Sequence, residues 1–379
     1  MKIYLDNAAT TIPCEAAVSA CFSCMTENFG NPSSLHGIGL AAEKTVTEAR
    51  KAVAAALVCT PECITFTSGA TESNNTVIMG AAEKWGRRKK KIVISAVEHP
   101  SVAAPVKYLG EHGFTVVRIP PMRSGEINEE DFISAVDDNT FLVSCMLVNN
   151  ETGAVNPVRK IFTAVKRKYP QCLTHCDAVQ GFLKIPIKVS DSGADFLTVS
   201  AHKVHALKGT GALYIRKGLS LPPLVYGGGQ EKNFRSGTEA VPSIAAFGAA
   251  VRTLMPTMKS AYENAEMLGG YLLDRLKTLE FVNINSSADN NSPFIINFSV
   301  DGIRSEIMLH YLESRDIYVS SGSACSKGAH SSVLTAMGIP DRTADSAIRV
   351  SMSRTTQKSE LDALCEGIEA GHKSLAKNK

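Results

Sequence analysis

The chain has 379 residues, 44% hydrophobic and 20% charged, enough apolar material for a large domain with a smaller one beside it. Forty Lys and Arg against 37 Asp and Glu leave a net charge of +3, and the longest basic run, Arg87 to Lys91, leads straight into an apolar strand. That run reads as a solvated edge and excludes direct nucleic-acid binding.

In chain order, short β-branched runs alternate with helical patterns between residues 60 and 216. The expected strands are Cys63–Phe66, Lys91–Ile94, Thr115–Ile119, Phe141–Ser144, Phe196–Val199 and Ala212–Ile215. A helix over Ala41–Leu57 precedes them, and a helix-rich stretch from Ser243 to Leu279 follows, broken at Met255-Pro256. Beyond it come a strand (Phe294–Phe298), a helix (Ser305–Ser314), a Ser/Gly-rich loop (320–332), a strand (Ala347–Ser351) and a terminal helix (Ser359–Leu375). Alternating strands and helices imply an α/β fold whose mostly parallel sheet is covered by helices on both faces. The expected division is a large domain over 16–256 and a smaller α+β domain from 1–15 and 257–379.

The N-terminal Met1-Lys2 meets charge too early for a signal peptide, and no apolar run approaches the roughly 20 residues of a membrane helix. Ten scattered cysteines fit reduced thiols, not a disulfide framework, and their closest pairs lack zinc-ligand partners, so no metal is expected. A cytoplasmic protein is the expectation.

Five segments carry chemistry. Phe66 to Asn75 is a strand, a small-residue turn and a helix start, where amides, the helix dipole and the Thr71 hydroxyl make a phosphate cradle; its plain alternative is a helix cap. Thr174 to Gln180 delivers Asp177 at a strand's C-terminal end, where open α/β sheets bind ligands, and a buried carboxylate there wants a cation such as a protonated pyridine nitrogen. Val199 to Gly211 delivers Lys203 before a glycine-rich turn, suited to forming a Schiff base with an aldehyde, although a lone lysine after a strand is usually a surface charge. Together the three supply what the nitrogen, aldehyde and phosphate of pyridoxal 5'-phosphate (PLP) require.

The fourth segment, Val319 to Gly328, holds Cys325 in a loop of the smallest residues, which leaves the sulfur uncovered as a nucleophile, or as a tolerated surface cysteine. His330 and Lys327 beside it either lower its pKa or are solvated loop residues. In the fifth, Arg349 lies inside an apolar strand and wants a carboxylate, either from the protein or from an amino-acid substrate.

At these residues the sequence resembles the cysteine desulfurases, members of the class V aminotransferase-like branch of fold type I PLP enzymes. The likeness runs nearly end to end, through Tyr4 to Thr11, Gly30 to His36, Thr67 to Asn74, Glu98 to Val102, Val148 to Gly153, the Asp177 and Lys203 segments, Arg235 to Thr238, the Cys325 loop and the Arg349 strand.

The resemblance implies that Lys203 holds PLP covalently, Asp177 pairs with its ring nitrogen, Gln180 hydrogen-bonds its ring hydroxyl and His99 stacks on the ring, or else is a helix-capping or core histidine. Ala70, Thr71, Ser200 and His202 would hold the phosphate, with Thr238 supplied by the other subunit of a homodimer, and Asn150 and Arg349 would hold the carboxylate of L-cysteine. Lys203 would move the substrate's α-proton, and Cys325 would attack its sulfur, giving alanine and a persulfide for delivery to a sulfur-acceptor protein. The alternatives are a selenocysteine lyase or other class V enzyme, which need not depend on Cys325, and an interaction protein on a retired PLP fold.

Two departures stand out. Ala206-Leu207-Lys208-Gly209 replaces the family's common Gly-Pro-Lys-Gly, keeping the basic and glycine positions. The loop after Cys325 reaches Val333-Leu334 early and lacks the Glu-Pro-Ser of the best-known iron–sulfur members, so a shorter tether points to a dedicated acceptor such as a tRNA-thiolation enzyme over a cluster scaffold.

Overall fold

The structure is a computed structural model that describes residues 2–321 and 331–375. Its first strand, β1 (Ile3–Tyr4), is followed by α1 (Glu15–Thr26), α2 (Gly37–Leu57), β2 (Ile64–Thr67), α3 (Ala70–Trp85), β3 (Lys91–Ser95), α4 (Pro100–Glu111), β4 (Thr115–Ile119), α5 (Glu129–Ser134) and β5 (Thr140–Ser144). Next come α6 (Val158–Lys168), β6 (Leu173–Asp177), α7 (Val189–Ser192), β7 (Phe196–Ser200), β8 (Gly211–Ile215), α8 (Val241–Leu254) and α9 (Met258–Lys277). The remainder is β9 (Val282–Ile284), β10 (Ile295–Val300), α10 (Ser305–Glu313), β11 (Ile317–Tyr318), β12 (Ser320–Ser321), α11 (Ser332–Ala336), α12 (Asp341–Asp345), β13 (Ala347–Ser351) and α13 (Lys358–Ser374).

Seven strands form the main sheet in the order β2-β8-β7-β6-β5-β3-β4. All neighbours are parallel except β8, which runs antiparallel to both β2 and β7. Alternate residues enter two apolar clusters: Val93, Val143 and Leu197 join one, and Ile92, Leu142 and Phe196 the other. Both faces are therefore covered, which explains why β5, β6 and β7 read as continuous buried runs without polar alternation. On α6, Val158, Ile161, Phe162 and Val165 are buried at helical spacing, and Lys166, Arg167 and Lys168 fill its last turn, where the helix dipole favours cations.

A third apolar cluster surrounds the four-stranded sheet β12-β13-β10-β9 and draws on α9, α10 and α13. The expected break at Met255-Pro256 is a single 3-10 turn between α8 and α9, because the proline ring removes an amide donor and crowds the preceding turn. The strands β1, β9, β11 and β12, two or three residues each, are too short to leave a periodic signal in the sequence. β1 pairs with β11 in a separate two-stranded sheet, and a bridge from Asp6 to Ser351 ties this opening segment to β13 of the four-stranded sheet.

Candidate active site

The site lies at the C-terminal ends of the parallel strands β3, β5, β6 and β7, where the chain leaves the sheet and side chains converge above its edge. Asp177, the last residue of β6, is 4% exposed. Its carboxylate takes two neutral donors, Asn74 Nδ2 on Oδ2 at 2.8 Å and Val179 N on Oδ1 at 3.0 Å. Carboxylate oxygens have room for further donors, so the geometry leaves acceptor capacity for a cationic atom.

Lys203 ends the 3-10 turn Ala201–Lys203 that follows β7. Its Nζ donates to the carbonyls of Ala8 at 2.5 Å and Ala9 at 2.6 Å. The N-terminal segment holds this turn in place: Thr11 donates through both N and Oγ1 to the His202 carbonyl, and His205 N donates to Thr11 Oγ1 at 2.8 Å. His202 Nδ1 lies 3.1 Å from Thr10 Oγ1, and burial, with the charges of Lys203, Lys208 and Lys184, pushes its pKa down to about 4. The ring is thus neutral near pH 7.

His99 is the N-cap of α4, its Nδ1 accepting from Ser101 N at 3.1 Å. His99 thus caps α4, and an accepting Nδ1 places the ring proton on Nε2 in the neutral ring. Burial, then the charge of Lys203, lowers the pKa of His99 against the opposing effect of Asp177. A second contact, Ser101 Oγ to His99 Nδ1 at 2.8 Å, completes a chain, since Asn74 Nδ2 also donates to Ser101 Oγ at 2.8 Å. With its oxygen accepting from Asn74, Ser101 gives its proton to His99. Asp177 and His99 are linked through two residues to which sequence reasoning gave no role. Asn74 was visible only as one polar residue in the start of α3, with no spacing to mark it.

The N-terminus of α3 opens beside these groups. The first in-helix bond runs from Ser73 N to the Gly69 carbonyl, so the amides of Ala70, Thr71 and Glu72 precede the ladder and face outward. Gly69 sits at φ 149°, a conformation L side chains rarely adopt, and a Cβ on Gly211 would lie 2.8 Å from Gly69 Cα and C. Two glycines thus let the β8 backbone and the cap approach each other. Ser200, 2% exposed, ends β7 at the level of Gly211, its partner in register.

Gln180 is also drawn in, its Nε2 donating to the Ala8 carbonyl at 2.9 Å. Arg349, 3% exposed on β13, donates from Nη2 to Asp6 Oδ1 at 2.7 Å and from Nη1 to the Asn150 carbonyl at 2.9 Å, while its buried Nε has no partner among the described residues. The carboxylate that Arg349 requires is supplied in this structure by the protein, and Asn150 meets it through its backbone. Thr238 is exposed on the loop before α8, and no hydrogen bond ties it to Ala70 or Thr71 of the same chain among the described residues. Cys325, Lys327 and His330 lie outside the described residues. Among the nine described cysteines, all unpaired, burial pushes up the thiols of Cys24, Cys59, Cys145, Cys172, Cys176 and Cys365.

Chemically the arrangement offers an amine for a carbonyl carbon, a carboxylate for a cationic ring atom and a row of amides for an anion. The sequence is 37% identical over 97% of this chain to the protein named cysteine desulfurase IscS from Dictyoglomus turgidum, covering 94% of that protein. A solved NifS-like protein superposes with a TM-score of 0.94 at 36% identity, covering 99% of this chain and all of that one. The solved structure titled "SspA in complex with cysteine" matches with a TM-score of 0.83 at 32% identity, over 94% of this chain and all of that one. The pattern of the family described as "Aminotransferase class-V" spans residues 3–364, and the chain belongs to that family.

Proposed function

We propose that this chain is a PLP-dependent cysteine desulfurase that converts L-cysteine to L-alanine and receives the sulfur on Cys325 as a persulfide. The observation that carries the reading is the placement of Asp177 at the end of β6 and of Lys203 just beyond the end of the adjacent parallel strand β7, beside an α3 N-terminus opened by Gly69 and Gly211. The unused acceptor capacity of Asp177 and the glycine-lined cradle fit PLP's ring nitrogen and phosphate. PLP, when bound, supplies an electron sink for the substrate's α-carbon.

Lys203 would hold the cofactor and then move the α-proton through Nζ. Asp177 would keep the ring nitrogen protonated, Gln180 would donate to the ring hydroxyl oxygen and His99 would stack on the ring. Ala70, Thr71, Ser200 and His202 would hold the phosphate, and Arg349 with Asn150 the substrate carboxylate. Cys325 would attack the substrate sulfur as thiolate: the new S–S bond forms, the substrate Cβ–S bond breaks with its electron pair left on the carbon fragment, and that fragment takes up a proton at Cβ and leaves as alanine, the proton count being closed by the one Cys325 gave up. The raised thiols of the buried cysteines favour Cys325 over them as the acceptor.

The active unit in this reading is a homodimer, in which Thr238 reaches the partner's phosphate cradle. Exposed Val18, Phe22 and Met25 on α1, with Phe29, Leu35 and Ile38 after it, form an apolar stretch suited to a partner. A cytoplasmic setting fits the unpaired thiols, and no described helix is long and apolar enough to cross a membrane. The short segment from Cys325 to α11 favours a dedicated sulfur acceptor, such as a tRNA-thiolation enzyme, over an iron–sulfur scaffold.

The test is the visible spectrum of the purified protein with PLP, then alanine and sulfide release from L-cysteine by the parent and by Cys325→Ala. A yellow band with alanine formation lost in the variant is expected. Cysteine turnover that survives the substitution points to another class V lyase, and a protein left colourless by PLP overturns the enzyme reading. Sulfur transfer to a cluster scaffold, with none to a thiolation enzyme, sinks the acceptor assignment.

A further inference from the structure

Lys184 follows the Asp177 turn and is 9% exposed, yet no carboxylate lies within ion-pair distance of it among the described residues. Its Nζ donates to Gln180 Oε1 at 3.1 Å and stands 6.0 Å from the centre of the Phe294 ring. Burying an amine with one neutral acceptor is costly, and such a group is retained where something depends on it. Burial, reinforced by the charges of Lys203 and Arg349, pushes its pKa down to about 7.

The two ends of a glutamine amide are nearly equal in size, so partners alone decide which end points where. Gln180 is clamped from both sides: Lys184, in its charged form below about pH 7, can only donate and claims Oε1, while the Ala8 carbonyl can only accept and claims Nε2 at 2.9 Å. The same Ala8 carbonyl accepts from Lys203 Nζ at 2.5 Å. A single run of hydrogen bonds thus goes from Lys184 through Gln180 to Ala8, where Lys203 joins it. With Oε1 held by Lys184 and one N–H on the Ala8 carbonyl, Gln180 Nε2 keeps a second N–H to give.

We propose that Lys184 is a positioning residue that fixes the Gln180 amide with its N–H groups toward the Lys203 side of the site, where they serve the ring oxygen of PLP. This rests on the PLP reading above. Charged lysine does this because it offers no lone pair; a side chain that both donates and accepts, as the neutral amine does above about pH 7, would permit the flipped amide.

The test compares the parent with Lys184→Met, which keeps length and removes the donor, and Lys184→Arg, which keeps a donor-only group. The readouts are the PLP dissociation constant and the pH midpoint of the visible band, neither of which requires turnover. Lys184→Met is expected to weaken PLP binding about fivefold to tenfold, the value of one neutral hydrogen bond, and to move the midpoint, while Lys184→Arg restores both toward the parent. If the Met variant does not fold, Lys184→Gln carries the same expectation. A Met or Gln variant with the parent's affinity and midpoint overturns the proposal. A parent without any visible band overturns the PLP reading itself, a different failure.

Discussion

Asn74 Nδ2 donates to Asp177 Oδ2 at 2.8 Å, across 103 residues of sequence, and the same amide nitrogen reaches Ser101 Oγ. The first turns of α3 and α4 are thereby fixed to the end of β6. Replacing Asn74 with Ala leaves both acceptors buried and short of a donor. A stability loss of about 1–3 kcal/mol is expected in urea unfolding, together with weaker PLP binding. Asn74→Asp sets a second carboxylate against Asp177 and should lose more near pH 7 than near pH 4, where one of the pair takes up a proton.

Gly211 offers a sharper test of the cradle. A methyl group there meets the Gly69 backbone at 2.8 Å, and backbone cannot swing aside as a side chain can. Gly211→Ala is expected to cost about 1–3 kcal/mol through overpacking and to reduce PLP affinity more than Gly270→Ala, since Gly270 has open space around it. Equal affinities for the two variants would remove the cradle's dependence on this contact.

Glu98 is buried, with Oε1 accepting from Ser95 Oγ at 2.6 Å and Met146 N at 2.7 Å, while Oε2 has no partner among the described residues. Burial, with a further push from Asp177, raises its pKa to about 8. A raised carboxyl contributes stability fully present below the unfolded value, near 4.5, and lost as pH climbs toward 8. Glu98→Gln should therefore match the parent near pH 4.5 and exceed it by a few kcal/mol at pH 8, gaining on the order of 1.4 kcal/mol with each pH unit climbed between those limits. Parallel stability profiles for the two proteins would refute a protonated Glu98.

His175 works in the opposite direction. Wholly buried between Ser144 Oγ and Thr198 Oγ1, it is pushed by burial down to about 3. Above its unfolded value of 6.5 it costs nothing; as pH falls from there to 3 the unfolded chain takes a proton that the native chain refuses, and stability drops. His175→Gln is expected to flatten the acid limb of the urea-denaturation profile between those limits, at about 1.4 kcal/mol per pH unit.

Strands β3, β5 and β7 were legible because burial on both faces writes them as apolar, β-branched runs, and Asp177 and Lys203 were legible because each stands where a buried strand stops. Asn74, Ser101 and Lys184 were not, since their meaning arises only when distant strand ends are brought side by side. Asp6 is the clearest case: nothing local marks it, yet it supplies the carboxylate that the lone arginine of β13 demands. The Cys325 loop was read from its small residues and lies outside the described structure.

The opening segment of the chain joins both sheets. Asn7 N and Nδ2 donate to the Ser351 carbonyl, the Ala8 amide donates to Ser351 Oγ, and the carbonyls of Ala8 and Ala9 receive Lys203. Asn7 and Ala8 thus depend on Ser351 of the last described strand, β13, 344 and 343 residues further along the chain. Lys203 draws on the carbonyls of this segment and Arg349 on its Asp6, so a chain cut short before β13 would carry the main sheet without a finished centre.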